Sequence, residues 1–152
     1  MRAFAFLFAS TLLLIGAAFA QDATRTLNIT NLQWQQRPDA SFARLYPQAA
    51  QDRMLPGVAV VCCSIREDRR LDCQTAFEWP QGYGFGDATL QVMRDFRLTQ
   101  ASYDEVMAGP DRDLPIRQTL RWSLPQRMTP ETESAFARIS EAAQTMCATP
   151  VS

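Results

Sequence analysis

The pattern of hydrophobic and polar positions predicts two adjoining β-strands in the middle of the chain. Residues 58–65 are apolar at almost every position, whereas residues 71–79 keep their less polar side chains mainly on one face, which carries Leu71, Cys73, Thr75 and Phe77. The charged residues 66–70 lie between the two runs and indicate a hairpin turn. Because both faces of the first strand are apolar, we expect it to be the central strand of the sheet, covered on both sides.

The part of the chain after the hairpin predicts one helix and one further strand. Apolar residues recur at helical spacing from Phe85 to Phe96, as in an amphipathic helix. Residues 104–113 are polar and typical of turns. Residues 115–124 alternate between apolar and polar side chains, which predicts a strand with one polar face.

The two ends of the mature chain complete the predicted fold. Residues 26–36 predict a short strand or an extended lead, and residues 47–53 predict a short helix. A last helix, about residues 130–147, begins after Thr129, because threonine caps free N–H groups and proline fits the first helical position. The sequence therefore predicts an α+β fold, with a small antiparallel sheet in β-α-β-β-α-β order and a C-terminal helix.

Residues 1–20 predict an export signal. An apolar run follows Met1-Arg2 and ends in Ala18-Phe19-Ala20, a typical small-x-small cleavage sequence. We expect cleavage to leave a single domain, residues 21–152, in the periplasm or outside the cell. The alternative is an uncleaved inner-membrane anchor, since the apolar run is just long enough to span a bilayer.

Composition narrows the candidate chemistry. The chain has no histidine, its basic residues are all arginine, and its formal net charge is −1. Without histidine there is no Ser-His-Asp or Cys-His pair, and without lysine there is no Schiff-base or P-loop lysine. The balanced charge also disfavours a nucleic-acid partner. We therefore expect no enzymatic activity, no cofactor and no metal.

The four cysteines allow three pairings. Centring the hairpin on Asp68 places Cys63 opposite Cys73, which predicts a cross-strand disulfide. Cys62 points to the other face and Cys147 lies on the apolar stripe of the last helix, so a second pair would tie that helix to the back of the sheet. Buried free thiols or a metal site remain alternatives, although adjacent cysteines do not easily place both sulfurs in one tetrahedron.

Two other features have possible ligand-binding interpretations. The glycine-rich residues 82–86 precede a predicted helix, and free amides at a helix start attract anions. However, Asp87 puts a negative charge there, so we expect a simple connection. Two carboxylate pairs could in principle serve as a general acid and base: Glu78 with Asp72, and Asp111 with Asp113. We expect all four to be solvated surface groups.

An ordered series of motifs resembles the C-terminal domain of the TonB family, in particular its cysteine-bearing branch. The resemblance spans about residues 34–124. The motifs are Tyr46-Pro47-x-x-Ala50, Pro56-Gly57 before the alternating strand, Leu71-Asp72-Cys73, Gly84-Phe85-Gly86 at the second helix, and Pro115-Ile116 at the last strand.

The resemblance implies a periplasmic domain that binds a short segment of an outer-membrane receptor by adding it to a sheet edge, in the setting of TonB-linked transmembrane transport. We expect that edge to be the last strand, where arginines would protect an exposed edge and favour an acidic peptide. The residues predicted to bind the partner are Ile116, Arg117, Thr119 and Arg121.

Two other functions stay open at this point. One is a stand-alone secreted structural or inhibitor-like domain with no role in transport. The other is a small secreted enzyme or ligand-binding protein that uses a cleft near Tyr83, Trp79 and Glu78.

Overall fold

A computed structural model describes residues 25–39, 42–124 and 127–147. The predicted signal, residues 1–20, lies outside these ranges. The fold is α+β, with antiparallel sheets and a C-terminal helix. Its elements are β1 Trp34–Gln36, α1 Phe42–Leu45, α2 Gln48–Gln51, β2 Gly57–Ile65, β3 Leu71–Trp79, α3 Phe85–Arg94, β4 Arg97–Leu98, α4 Gln100–Ala108, β5 Ile116–Trp122 and α5 Pro130–Ala142, with short 3₁₀ turns at Ile29–Asn31 and Ala143–Thr145.

The main sheet has three antiparallel strands in the order β3-β2-β5. β2 is central, as its two-sided apolar pattern predicts, and every residue from Gly57 to Cys63 is buried. The hairpin register is also the predicted one, since Ile65 pairs with Leu71, Cys63 with Cys73 and Val61 with Thr75. The predicted centre of the turn at Asp68 is therefore confirmed.

A β-bulge in β3 changes the face on which its second half points. The register slips between Val60 and Val61, so that Val60 pairs with Phe77 and Ala76 is the extra residue. The prediction that Phe77 shares a face with Thr75 is therefore wrong, because one inserted residue turns all later side chains over. Glu78 consequently lies on the face that the sequence assigned to apolar residues.

Helix α3 covers one face of the main sheet. The aromatic ring of Phe85, the first residue of α3, is wholly buried and packs directly over Gly57. A Cβ added at Gly57 would overlap this ring. Trp122 closes the same end of the core, and its indole N–H donates to the Thr89 hydroxyl at 3.0 Å. Because a buried indole needs a partner for its N–H, this bond makes Trp122 compatible with the core.

Helix α5 covers the opposite face. It begins as predicted, with Thr129 accepting from the Thr132 amide at 3.2 Å and Pro130 in the first turn. Hydrogen bonds from its own backbone amide and from Thr129 lower the pKa of Glu131 below its usual value. Phe136 is fully buried against the sheet. The helix ends at Ala142 and a 3₁₀ turn follows, so the predicted extent to residue 147 is too long.

The predicted turn region 104–113 is wrong in its first half, because α4 extends through it to Ala108. The helix has few large apolar residues, and among its residues only Ser102 is fully buried. It begins at a capping bond from the Ser102 amide to the Thr99 hydroxyl, 3.2 Å. This local cap, rather than an apolar stripe, is the signal that marks the helix in the sequence.

A second, two-stranded sheet is formed by β1 and β4, which pair antiparallel. β1 is the last part of the extended lead predicted for residues 26–36. β4 and α4 are additional to the expected order of elements. β4 carries Leu98, which is wholly buried in the core beside Val61 and Met93.

Two disulfides join β2 to its surroundings, and the described residues include no free cysteine. Cys63 is bonded to Cys73 across the hairpin, with a Cα–Cα distance of 4.0 Å. Cys62 is bonded to Cys147, just after α5, and this bond spans 85 residues of sequence. Adjacent residues of one strand point to opposite faces, so each bond holds a different face of the sheet.

We expect loss of the Cys62–Cys147 bond to destabilise the protein more than loss of the Cys63–Cys73 bond. In the chain-entropy model, a loop of 10 residues contributes about 2.7 kcal/mol and a loop of 85 residues about 4.6 kcal/mol. Urea unfolding of Cys62→Ala/Cys147→Ala and Cys63→Ala/Cys73→Ala gives the two differences directly. A larger loss for the hairpin pair would contradict the expectation, and the same measurements in reducing buffer control for the effect of alanine on packing.

Candidate functional site

β5 lies at one edge of the main sheet. Its register with β2 is regular over seven pairs, from Gly57 with Trp122 to Cys63 with Ile116. On its other edge, Leu27 forms one parallel bridge with Ile116, and the Leu27 amide donates to the Pro115 carbonyl at 2.9 Å. The N-terminal segment therefore covers the beginning of the outer edge of β5.

The direction of the β5 backbone groups follows from this contact. The Pro115 carbonyl points away from β2, because it bonds to Leu27 on the outer edge. Backbone groups alternate between the two edges along a strand, so those of Arg117, Thr119 and Arg121 also point outward. Within the described residues, no backbone hydrogen bond joins Thr119 or Arg121 to a further segment on this side.

The close approach of Cys63 and Cys73 supports the same assignment. Their Cα atoms are 4.0 Å apart, as expected for antiparallel neighbours that do not bond to each other through their backbones. The backbone groups of Cys63 are therefore turned towards β5, where its partner is Ile116. The backbone groups of Ile116, and of every second residue after it, therefore point towards β2, and those of Thr119 point away from β2.

The predicted partner-binding residues do not all present their side chains to solvent. Ile116 is wholly buried in the core, and Thr119 is half-buried. The guanidinium of Arg117 donates to the Gln144 carbonyl at 2.6 Å. Arg121 donates to the Ser140 hydroxyl at 3.3 Å and lies over the Phe136 ring, 5.7 Å from its centroid. Both arginines thus contact the C-terminal helix region.

These contacts change what arginine substitutions would measure. Replacing Arg117 or Arg121 by glutamate would disturb the packing of α5 as well as any peptide contact. Arg121 also forms a long ion pair with Glu133, 3.9 Å between nitrogen and oxygen, and that pair is exposed and weak. Within the described residues, the main chain of β5 at Thr119 and Arg121, rather than these two side chains, is therefore the part of this edge without a backbone partner.

The cleft expected near Tyr83, Trp79 and Glu78 is not formed by these residues. Trp79 packs edge-on against Phe136 on the α5 face, with ring centroids 6.2 Å apart. Glu78 lies on the other face of the sheet, and Tyr83 accepts a hydrogen bond from Arg53 at 3.3 Å. Trp79 and Glu78 are adjacent in β3 and so lie on opposite faces, and the bulge at Ala76 exchanges which of them faces α5 and which faces α3.

Glu78 closes the start of α3. Its two carboxylate oxygens accept from the Gly82 amide at 2.8 Å and from the Gly86 amide at 2.7 Å. A Cβ added at Gly86 would lie only 2.7 Å from the Thr75 side chain, so only glycine lets the helix start approach β3 this closely. The amides that an external anion would use are already bound to a carboxylate of the chain itself. Residues 82–86 are therefore a capped connection.

The other acidic pair is engaged in ion pairs. Asp111 accepts from Arg25 at 2.8 Å, and Asp113 accepts from Arg112 at 3.1 Å. In the described part of the chain, no group of three or more histidine, cysteine, aspartate or glutamate side chains is arranged to bind a metal ion. No helix among the described residues is long and apolar enough to cross a membrane.

A comparison of the chain with protein-family models finds no match, and a comparison with curated proteins finds no significant match. The TonB resemblance therefore rests on the motifs of the sequence.

We expect Glu78→Gln to destabilise the protein, because one of two bonds between a charged acceptor and a backbone amide is lost. The expected decrease in the free energy of unfolding is about 1–3 kcal/mol. Urea denaturation measures it, and Asp72→Asn is the matched control, since Asp72 is exposed on the same strand. Equal stabilities of the two variants would contradict the capping role of Glu78.

Proposed function

We propose that the chain is an exported, periplasmic protein-binding module that takes up an extended peptide along the outer edge of β5. The single observation that supports this most directly is the pair of outward backbone positions at Thr119 and Arg121, beyond the bridge between Leu27 and Ile116. In strand addition the main chain supplies affinity, and pockets for alternate side chains supply specificity. No catalytic step is part of the proposal.

The other edge of the sheet is a poorer template. β3 carries the bulge at Ala76, and a bulge interrupts the regular spacing of donors and acceptors that an added strand needs. β5 has no such irregularity in its pairing with β2. This difference favours β5 as the receiving strand.

The free length of the edge limits the size of the ligand. The bridge to Leu27 takes up the beginning of β5, and the strand ends at Trp122. The parallel bridge also turns the Leu27 carbonyl towards the Arg117 amide, so an added peptide would pair with residues 118–121. At the usual rise along a strand this corresponds to about four to six peptide residues.

The TonB resemblance suggests where such a peptide comes from. We propose a segment of an outer-membrane receptor as the partner to test first, in the setting of TonB-linked transport. The proposal includes a TonB-like arrangement of the main sheet and α3, with β4, α4 and the disulfide-linked α5 as additions of this chain.

The test of this function is Thr119→Pro. Proline removes an outward N–H that does not bond to β2, so the fold should persist while a bound peptide loses a main-chain hydrogen bond and meets the ring. Using receptor-derived peptides that bind the unmodified protein, we expect the dissociation constant to rise about tenfold or more. Fluorescence anisotropy with labelled peptides measures it.

Thr119→Ala is the matched control, because it removes the same side chain and keeps the N–H. Hydrogen exchange on the peptide-loaded protein locates the contact independently. Protection that appears at the outward amides of Thr119 and Arg121 supports the proposal. Protection at residues 72–76, or equal affinity of the proline and alanine variants, contradicts it.

A further inference from the structure

We infer that a cavity beside the outer edge of β5 is the specificity pocket of this edge, and that it selects a peptide with a large apolar side chain and an acidic residue two positions away. This inference rests on the proposed function and adds the class of peptide. The cavity has a volume of about 460 Å³. Residues from four parts of the chain line it, among them Ile29, Trp34, Arg37, Pro38, Phe96 and Gln118.

The position of Gln118 connects the cavity to β5. Gln118 pairs with Val61, and its side chain lies on the face that α3 covers. In an antiparallel or parallel sheet, residues directly opposite each other place their side chains on the same face. A peptide residue opposite Gln118 would therefore direct its side chain into this cavity.

The chemistry of the walls fits an apolar side chain. Trp34 and Phe96 are both half-buried and pack edge to face, with ring centroids 4.8 Å apart and planes at 72°. The Trp34 indole N–H donates to the Ile29 carbonyl at 3.2 Å, which fixes the ring and satisfies its polar group. The remaining surface of the two rings offers contact area without an unpaired donor. A volume of several hundred cubic ångströms is sufficient for a leucine or an aromatic side chain.

The charge at the rim indicates what lies next to that side chain. Arg37 is exposed, and within the described residues it forms no hydrogen bond or ion pair. Alternate residues of a strand share one face, so a carboxylate two positions from the apolar residue would lie on the Arg37 side. This charge complementarity favours a peptide of another protein with aspartate or glutamate at that position.

Peptide substitutions test the inference without altering the protein. The probes are acetylated and amidated heptapeptides with phenylalanine at the centre and aspartate two positions before or after it. Replacing phenylalanine by alanine should weaken binding roughly tenfold. Replacing aspartate by asparagine should weaken it roughly threefold at low salt, because exposed ion pairs are weak. Fluorescence anisotropy gives both ratios.

A charge exchange in the protein tests the rim. Arg37→Glu should lower the affinity for the aspartate peptide. It should raise the affinity for a peptide in which lysine replaces that aspartate. Arg138→Glu, the same charge change on the exposed side of α5, is the control and should affect neither. Trp34→Ala is a less clear variant, since it also removes the contact with Phe96 that holds β1.

The outcomes separate this inference from the proposed function. Binding that Thr119→Pro abolishes, but that ignores the central phenylalanine and Arg37, overturns the pocket and keeps the edge. Binding that depends on phenylalanine but not on Thr119→Pro overturns the pairing of the peptide with β5, and the inference with it. Self-association of the protein that blocks every probe peptide would identify a second copy as the occupant and would also overturn it.

Discussion

Strand β2 determines the rest of the fold, because neither of its faces is available to water. A strand buried on both sides needs a cover on each, and it needs neighbours on both edges to bond its backbone groups. The neighbours are β3 and β5, and the covers are α3 and α5. Gly57 and Phe85 show how close the first cover lies, since no side chain larger than hydrogen fits between them.

Two adjacent cysteines of β2, Cys62 and Cys63, form disulfides on opposite faces of the sheet. Cys63 points to the α3 face and is bonded to the neighbouring strand, whereas Cys62 points to the α5 face and is bonded to the residue that follows that helix region. α5 has a partly exposed contact with the sheet, made by Phe136, Arg117 and Arg121. The disulfide therefore supplements a modest apolar contact.

The sequence predicts those parts of the fold that depend on local pattern. The two-sided apolar run of β2, the turn at Asp68 and the cap at Thr129 each leave a direct signal in a few neighbouring residues. The bulge at Ala76 does not, because an extra residue in one strand is defined only by its partner. That single insertion turns Trp79 towards α5 and Glu78 towards α3, which the sequence pattern alone does not reveal.

The edge site was predictable only in part. Alternation in residues 115–124 identifies a strand, but the hydrogen bond from Arg117 to the Gln144 carbonyl depends on a 3₁₀ turn far along the chain. Likewise, the cavity at Gln118 brings together Ile29, Trp34 and Phe96, which no spacing rule relates. The hydrophobic pattern does not predict helix α4, because few of its side chains are buried and its start is marked by the cap between Thr99 and Ser102.

The unequal spans of the two disulfides have a consequence for biosynthesis. Cys73 is synthesised only 10 residues after Cys63, whereas Cys147 follows Cys62 by 85. Until Cys147 is synthesised, Cys62 is a free thiol next to Cys63, which can already bond to Cys73. The face of β2 that α5 later covers is still exposed at that stage. Thiol exchange and aggregation are both open to the growing chain at that stage. The hairpin register, which sets Cys63 rather than Cys62 opposite Cys73, selects the correct first bond before the last cysteine exists.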